Sequence, residues 1–403
     1  MKVGLKEIQA AQANLSRILV PTPLLHNPWL SKELGCEIYL KLETAQPIGS
    51  FKIRGATHAI LSLSDTEKKK GVVAASAGNH AQGVAWGSRQ AGVQATIVMP
   101  KNAPLMKIQN TRALGAEVVL AGDNYDEAYL EAQAICKKTG SVYIHAFQDA
   151  NVIAGQGTVG LEIFEQLPSV DVVVASIGGG GLVAGIAVTM KALKPSVKVY
   201  GAQAAGAASM QKSFEKKKAV TLDGVSTFAD GIAVSKASEE LREILQPKVE
   251  KVLSTDDENI AAAILMLLEK AKVVTEGAAA VSLAVLDQIR SEIKGKHVVV
   301  VLGGGNIDVN VLGRIIDRGL IRAGRRLRIN CWVADRPGSL AKLTDTIAKG
   351  GANILQAIHD RSEPSTSIDQ TEVALTLETK GPDHSAELIR ALKGAVIRLE
   401  QVD

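Results

Sequence analysis

Short runs of apolar and β-branched residues recur from Val72 to Leu302, each followed by a stretch with helical spacing. Val72–Ala75, Ala95–Met99, Val118–Leu120 and Ser141–Ile144 read as strands, as do Asp171–Ile177, Val197–Ala202, Val249–Leu253 and His297–Leu302. Helical patterns lie between them, as in His80–Gln90, Tyr125–Lys138 and Ile260–Lys270. Most of these strands are apolar throughout, not alternating, which suits parallel sheets covered on both faces. Strand–helix alternation of this kind predicts two open α/β lobes, with sites where loops leave the carboxyl ends of strands.

The pattern changes near Arg322, where Arg322-Ala-Gly-Arg-Arg-Leu-Arg328 reads as a short basic linker. Beyond it come a strand at Leu327–Ala334, a helix at Leu340–Gly350, and strands at Ile354–Arg361 and Gln370–Glu378. A helix at His384–Lys393 and a last strand at Val396–Val402 complete a βαββαβ, ferredoxin-like order. That module carries no nucleophile–base pair, so binding or assembly is its expected task. With 403 residues, two or three domains are the natural division.

Composition excludes some classes. The 46 basic and 42 acidic side chains leave a net charge of +4, and aromatics make up 3% of the chain. That balance argues against a nucleic-acid partner. Cys36, Cys136 and Cys331 lie far apart and form no CxxC pair, which fits a reducing cytoplasm. The start, MKVGLKEIQAAQANL, reads as an amphipathic helix without an apolar signal core. No apolar run reaches the roughly 20 residues a membrane span needs.

Two features carry chemistry. Lys52 lies in Ser50-Phe51-Lys52-Ile53-Arg54-Gly55, where a helical pattern begins. A helix start favours the neutral amine, the form that condenses with an aldehyde. Gly178, Gly179, Gly180 and Gly181 stand between a strand and the helical run Leu182–Leu193. Successive glycines let backbone N–H groups turn inward on an anion, phosphate being the obvious one. Together they point to a pyridoxal-phosphate enzyme acting on an amino acid.

Other readings compete. Gly179, Gly181 and Ala184 satisfy the dinucleotide pattern G-x-G-x-x-A, but Gln203 stands where the ribose-binding acid belongs. No GxxxxGK[ST] appears, and neither HExxH, a cysteine cluster nor EF-hand spacing supports a metal. Ser76-Ala77-Gly78-Asn79-His80 turns from strand to helix and suits a carboxylate, though an ordinary capped turn reads the same way. His80 serves equally as a packing residue. Gly303-Gly304-Gly305-Asn306 permits close approach to a flat ligand, or is a plain turn.

From about Leu5 to Leu320 the chain resembles threonine dehydratases of the fold-type II pyridoxal-phosphate family. PIGSFKIRG, SAGNHAQG, SIGGGGLVAGIA, TFADGIAV, VTEGAAA and LGGGNID occur in order. The tail, with Asp335-Arg336-Pro337-Gly338-Ser339-Leu340, resembles one ACT domain. The resemblance implies a catalytic region over 1–321, a linker over 322–327 and a regulatory module over 328–403. It implies that Lys52 holds pyridoxal 5′-phosphate through a Schiff base, with Phe51 against the ring and Asn79 on the ring hydroxyl. Gly178, Gly179, Gly180, Gly181 and Leu182 would take the phosphate, and Ser76, Ala77, Gly78, Asn79 and His80 the substrate carboxylate. Glu276 would lie near the substrate. Many relatives place a serine or cysteine facing the pyridine nitrogen where this chain has Gly303.

The implied reaction is α,β-elimination of L-threonine, and of L-serine, with isoleucine synthesis as the setting. A homodimer or homotetramer is implied too. The ACT-like tail implies an amino-acid effector such as isoleucine, bound near Asp335, Gly338, Ser339, Leu340, Asn353 and Ile354. Assembly alone is the other task open to the tail. Serine racemases share the scaffold, but those resembling this chain carry a serine at the position of Ala77. They also carry acidic cation ligands where this chain has Gln203 and Ser209. A non-catalytic amino-acid sensor would have no use for Lys52 and the glycine cup.

Overall fold

The computed structural model describes residues 2–361 and 367–402 and divides into two compact units, Met1–Ile307 and Asp308–Asp403. The strands of the first unit are β1 (Leu24–His26), β2 (Glu37–Leu42), β3 (Val72–Ala75), β4 (Ala95–Met99) and β5 (Glu117–Leu120). They continue with β6 (Val142–Tyr143), β7 (Val172–Ser176), β8 (Lys198–Ala204), β9 (Lys251–Thr255) and β10 (His297–Leu302). One sheet is wholly parallel in the order β5-β4-β3-β6. The larger runs β1-β2-β10-β7-β8-β9 and is parallel except between β1 and β2. Every residue of β3 and β7 is buried, as unbroken apolar strands between helix layers must be. The two α/β lobes are thus present, each open at the carboxyl ends of its strands.

Strands β1, β2 and β9 depart from the sequence pattern, β1 as a three-residue strand antiparallel to β2. β9 begins two residues after the expected Val249, whose N–H already donates to Leu245 O at 2.8 Å in the turn after helix Glu239–Leu245. β2 is invisible to an apolar-run reading because Lys41 sits in its buried half. It nonetheless pairs with β10 from Glu37↔His297 to Leu42↔Leu302 and joins the larger sheet.

Charge compensation makes that burial tolerable. Lys41 Nζ lies 2.6 Å from Glu162 and 2.7 Å from Thr22 O. Arg54 reaches Glu43 at 2.7 and 2.9 Å and Glu162 at 2.6 and 2.9 Å. Thr22 Oγ1 donates to Glu43 at 2.6 Å. Two buried cations and two buried carboxylates thus compensate one another. Burial opposes the charge on Glu43, but the Arg54 guanidinium outweighs it and holds this carboxyl below its usual value.

In the second unit, helix Val309–Arg322 precedes β11 (Arg326–Ala334), β12 (Asn353–Asp360), β13 (Gln370–Glu378) and β14 (Arg398–Gln401). With helices Ser339–Lys349 and Pro382–Lys393 they form an antiparallel sheet in the order β12-β13-β11-β14. Ile329, Leu343, Ile347, Val373, Leu377 and Leu392 fill its core. Residues 322–327 finish the helix, turn at Gly324 (φ +61°) and enter β11, so no free linker stands there. Thr379 Oγ1 donates to Gly324 O at 2.6 Å and Arg326 pairs with Asp317, tying this stretch into the second unit. Among the described residues, no helix is long and apolar enough to cross a membrane.

Candidate active site

Lys52 is the first residue of helix Lys52–Leu61, which lies between helices Asn79–Ala91 and Ala150–Gln166. Glycines allow that approach: a Cβ at Gly83 would lie 3.0 Å from Lys52 O, and one at Gly155 2.7 Å from Arg54 O. The preceding backbone is stitched to the end of β10, since Ser50 bridges Gly304 and Phe51 N donates to Gly303 O at 2.9 Å. Lys52 Nζ donates to Ala146 O at 3.2 Å. Burial pushes this amine down from 10.5 to about 8, against the pull of the Glu276 carboxylate. The helix begins at Lys52, two residues before the sequence pattern near Arg54, and desolvation is the cause that lowers the amine.

The residue after Ala146 connects the lysine to the glycine loop. A Cβ at Gly179 would lie 2.3 Å from the Phe147 ring, and one at Gly181 would lie 3.1 Å from Phe147 Cα. Gly180 has φ +104° and caps helix Gly181–Leu193. The opening N–H groups of a helix have no acceptor inside it, so they face outward toward an anion. The glycines are therefore demanded twice, by Phe147 and by the turn. Gly179→Ala is expected to weaken cofactor binding by roughly 1–3 kcal/mol through overpacking, read by titrating the apoprotein with pyridoxal phosphate; unchanged affinity would count against this geometry.

Gly303 meets Phe51: a Cβ there would lie 3.1 Å from the ring and 3.9 Å from Leu182. Phe51, Gly303 and Leu182 thus share one wall. Beside Gly304, where a Cβ would lie 2.5 Å from Glu276 Oε1, Asn79 Nδ2 donates to both carboxylate oxygens of Glu276, at 2.8 and 3.0 Å, and Asn79 Oδ1 accepts from Asn306 at 2.8 Å. Burial raises Glu276 to about 7, with the Asn79 bond opposing and nearby Asp230 adding to the rise. Asp230 is itself paired with Lys107 at 2.8 Å, across from the smaller sheet's lobe.

The turn after β3 divides its residues. Ser76 Oγ accepts from Gly78 N at 3.2 Å, and a Cβ at Gly78 would meet nothing within 4 Å, so Gly78 borders open space, while Ala77 is half-buried against the core of the smaller lobe. His80 turns away, with Nε2 on Ile144 O at 2.8 Å. Burial, with Lys52 nearby, lowers it to about 3 and keeps it neutral. Of the expected effector residues, Asp335 pairs with Arg361 at 3.0 Å and Asn353 Nδ2 donates to Glu378 at 3.0 Å. Gly338 (φ +91°) caps the helix that carries Ser339 and Leu340, while Ile354 is exposed at the edge of the sheet.

Sequence reasoning did not single out Phe147, Lys107 or Asp230, and named Asn306 only as the end of the Gly303–Asn306 turn. Asn306 and Asp230 lie inside quoted motifs and were within reach; Phe147 and Lys107 carried no local signal.

Residues 15–304 match the family described as pyridoxal-phosphate dependent enzyme, and residues 327–395 match the ACT domain. The chain is therefore a pyridoxal-phosphate-dependent enzyme of the fold-type II class, with an ACT domain behind its catalytic region. More narrowly, it belongs to the L-threonine ammonia-lyase family of carbon–nitrogen lyases. It is 48% identical to the L-threonine ammonia-lyase of Thermotoga maritima over 98% of this chain and 99% of that one. Among solved structures it is similar to maize serine racemase, with a TM-score of 0.75 and 31% identity over 80% of this chain and 99% of that one. Threonine deaminase isoform 2 of Solanum lycopersicum follows at 0.74 and 36% identity, covering 79% of this chain and 90% of that one.

Proposed function

We propose that this enzyme converts L-threonine to 2-oxobutanoate and ammonia, and L-serine to pyruvate, by α,β-elimination. The observation that carries the reading is the half-buried Lys52 amine donating to the backbone oxygen of the residue before Phe147, which packs on the glycine cup, with desolvation lowering the amine to about 8. Pyridoxal phosphate, when bound, supplies an electron sink for charge developed at the substrate Cα. Lys52 would hold its aldehyde, Gly178, Gly179, Gly180, Gly181 and Leu182 would hold its phosphate, Phe51 would face its ring, and Asn79 would serve its hydroxyl. Gly303 offers the ring nitrogen no side chain.

The Ser76–His80 turn takes the substrate carboxylate on the N–H groups of Ala77, Asn79 and His80, since those of Ser76 and Gly78 are held by Val98 O and Ser76 Oγ. Lys52, neutral above about pH 8, removes the Cα proton. Glu276, titrating near 7, holds a proton at the edge of the site beside Asn79. Lys52 returns the Cα proton to the β-hydroxyl, which leaves as water, and the released enamine takes up water to give the 2-oxo acid and ammonia. Ala77 has no proton to relay, which favours elimination over racemisation on this scaffold.

The ACT domain is where we place an amino-acid effector, isoleucine first, as an end product restraining the opening step of its own synthesis. The test is 2-oxo acid release from L-threonine, L-serine and D-serine by the full chain, with and without isoleucine. Release from L-threonine is expected, with isoleucine shifting its apparent affinity several-fold, since such couplings amount to about 1–3 kcal/mol. Indifference to isoleucine would remove the regulatory half of the proposal, and D-serine as the best substrate would remove the first.

A further inference from the structure

Gln203 lies near the end of β8 with its side chain wholly buried. Its amide nitrogen donates to Ile177 O and to Ala207 O, each at 3.2 Å, and its oxygen accepts from Gln211 N at 2.9 Å. Ile177 is the residue immediately before Gly178, and its own N–H donates to Ala202 O at 2.7 Å. The turn Ala205–Ala207 is tied onward, because Gly206 O accepts from Ser226 N at 3.1 Å and Ser209 Oγ donates to Val234 O at 2.9 Å. The segment so reached forms the other wall of the cup: a Cβ at Gly178 would lie 3.1 Å from Ile232 Cα and 3.2 Å from Gly231 O.

One side chain thus joins the strand end that feeds the glycine loop to the segment that faces it. Methionine or leucine would fill the same volume at a buried strand end. An amide is required because two carbonyl oxygens converge on one point, and a buried carbonyl left unpaired is costly. We propose that Gln203 is a positioning residue that sets the aperture of the Gly178–Gly181 cup, and through it the affinity for the phosphate of the cofactor. This rests on the reading of that loop as the phosphate site.

The test compares two ligands that differ only in phosphate. Cofactor-free full-length protein is titrated with pyridoxal 5′-phosphate and with pyridoxal, following absorbance, for the wild type and for Gln203→Glu, Gln203→Met and Tyr200→Phe. Gln203→Glu sets a carboxylate oxygen against both carbonyls, while Gln203→Met keeps the bulk and the apolar burial should the charged variant not fold. Tyr200→Phe removes a bond to Glu292 at 2.8 Å on the same strand, away from the cup.

Both Gln203 variants are expected to lose about tenfold or more in affinity for pyridoxal 5′-phosphate. Their affinity for pyridoxal should change by less than about threefold, and Tyr200→Phe should alter neither. Parallel weakening towards both ligands would reduce Gln203 to a packing role and overturn the proposal, as would unchanged binding. A wild type that binds both ligands equally would instead remove the phosphate reading of the loop, and the proposal with it.

Discussion

Lys52→Ala is expected to leave a folded protein whose 2-oxo acid release from L-threonine has fallen by at least about a thousandfold. One nitrogen is assigned both the grip on the cofactor and the Cα proton, so its loss removes two functions together. The fold should survive, because the side chain's polar link is a single bond to Ala146 O. Substantial residual turnover would identify a different base. The same amine sets a pH dependence in the wild type. With its value near 8, it is protonated below that pH and free above it. Cofactor uptake by the apoprotein should therefore slow as the pH falls below about 8 and level off above, whereas an unperturbed lysine would turn near 10.5. Stopped-flow absorbance across that range measures it.

Arg54→Met is expected to destabilise the protein by about 3–5 kcal/mol, because it leaves buried charge without its partner. Glu43 and Glu162 would then face only Lys41. The sign of the pH effect follows from Glu43, whose folded value lies below the ordinary 4.5. Its pairing contributes stability above that pH, lost as the pH falls through the folded value. The variant lacks this contribution, so the gap between wild type and variant should be widest above about 4.5 and narrow below it. Chemical denaturation at two pH values reads both numbers. A gap that widened on acidification would contradict the assignment of charge within the cluster.

Much of the architecture was open to inspection in the residue order. Val72–Ala75, Ala95–Met99 and His297–Leu302 fall as observed, since a parallel strand covered on both faces must be apolar at successive positions. The βαββαβ order of the tail is legible for the same reason, its two periods of hydrophobicity being local. Lys52 and the glycine run stood out because amine and anion chemistry constrain residue type at a single place.

What escaped depended on partners far along the chain. Lys41 reads as a defect in β2 until Glu162, 121 positions later, is seen against it. Arg54 reads as part of a surface helix until Glu43 and Glu162 surround it. Phe147 fixes the glycines of a loop it does not adjoin in sequence, and Gln203 looks only like a missing acid until its amide is found between two carbonyls. Residue types and their periodicity are a property of the chain, and they were enough to settle the kind of fold and to single out the amine proposed to react. Ionisation, charge compensation and the shape of the cup follow from desolvation and approach distances, which exist only once remote segments have packed together.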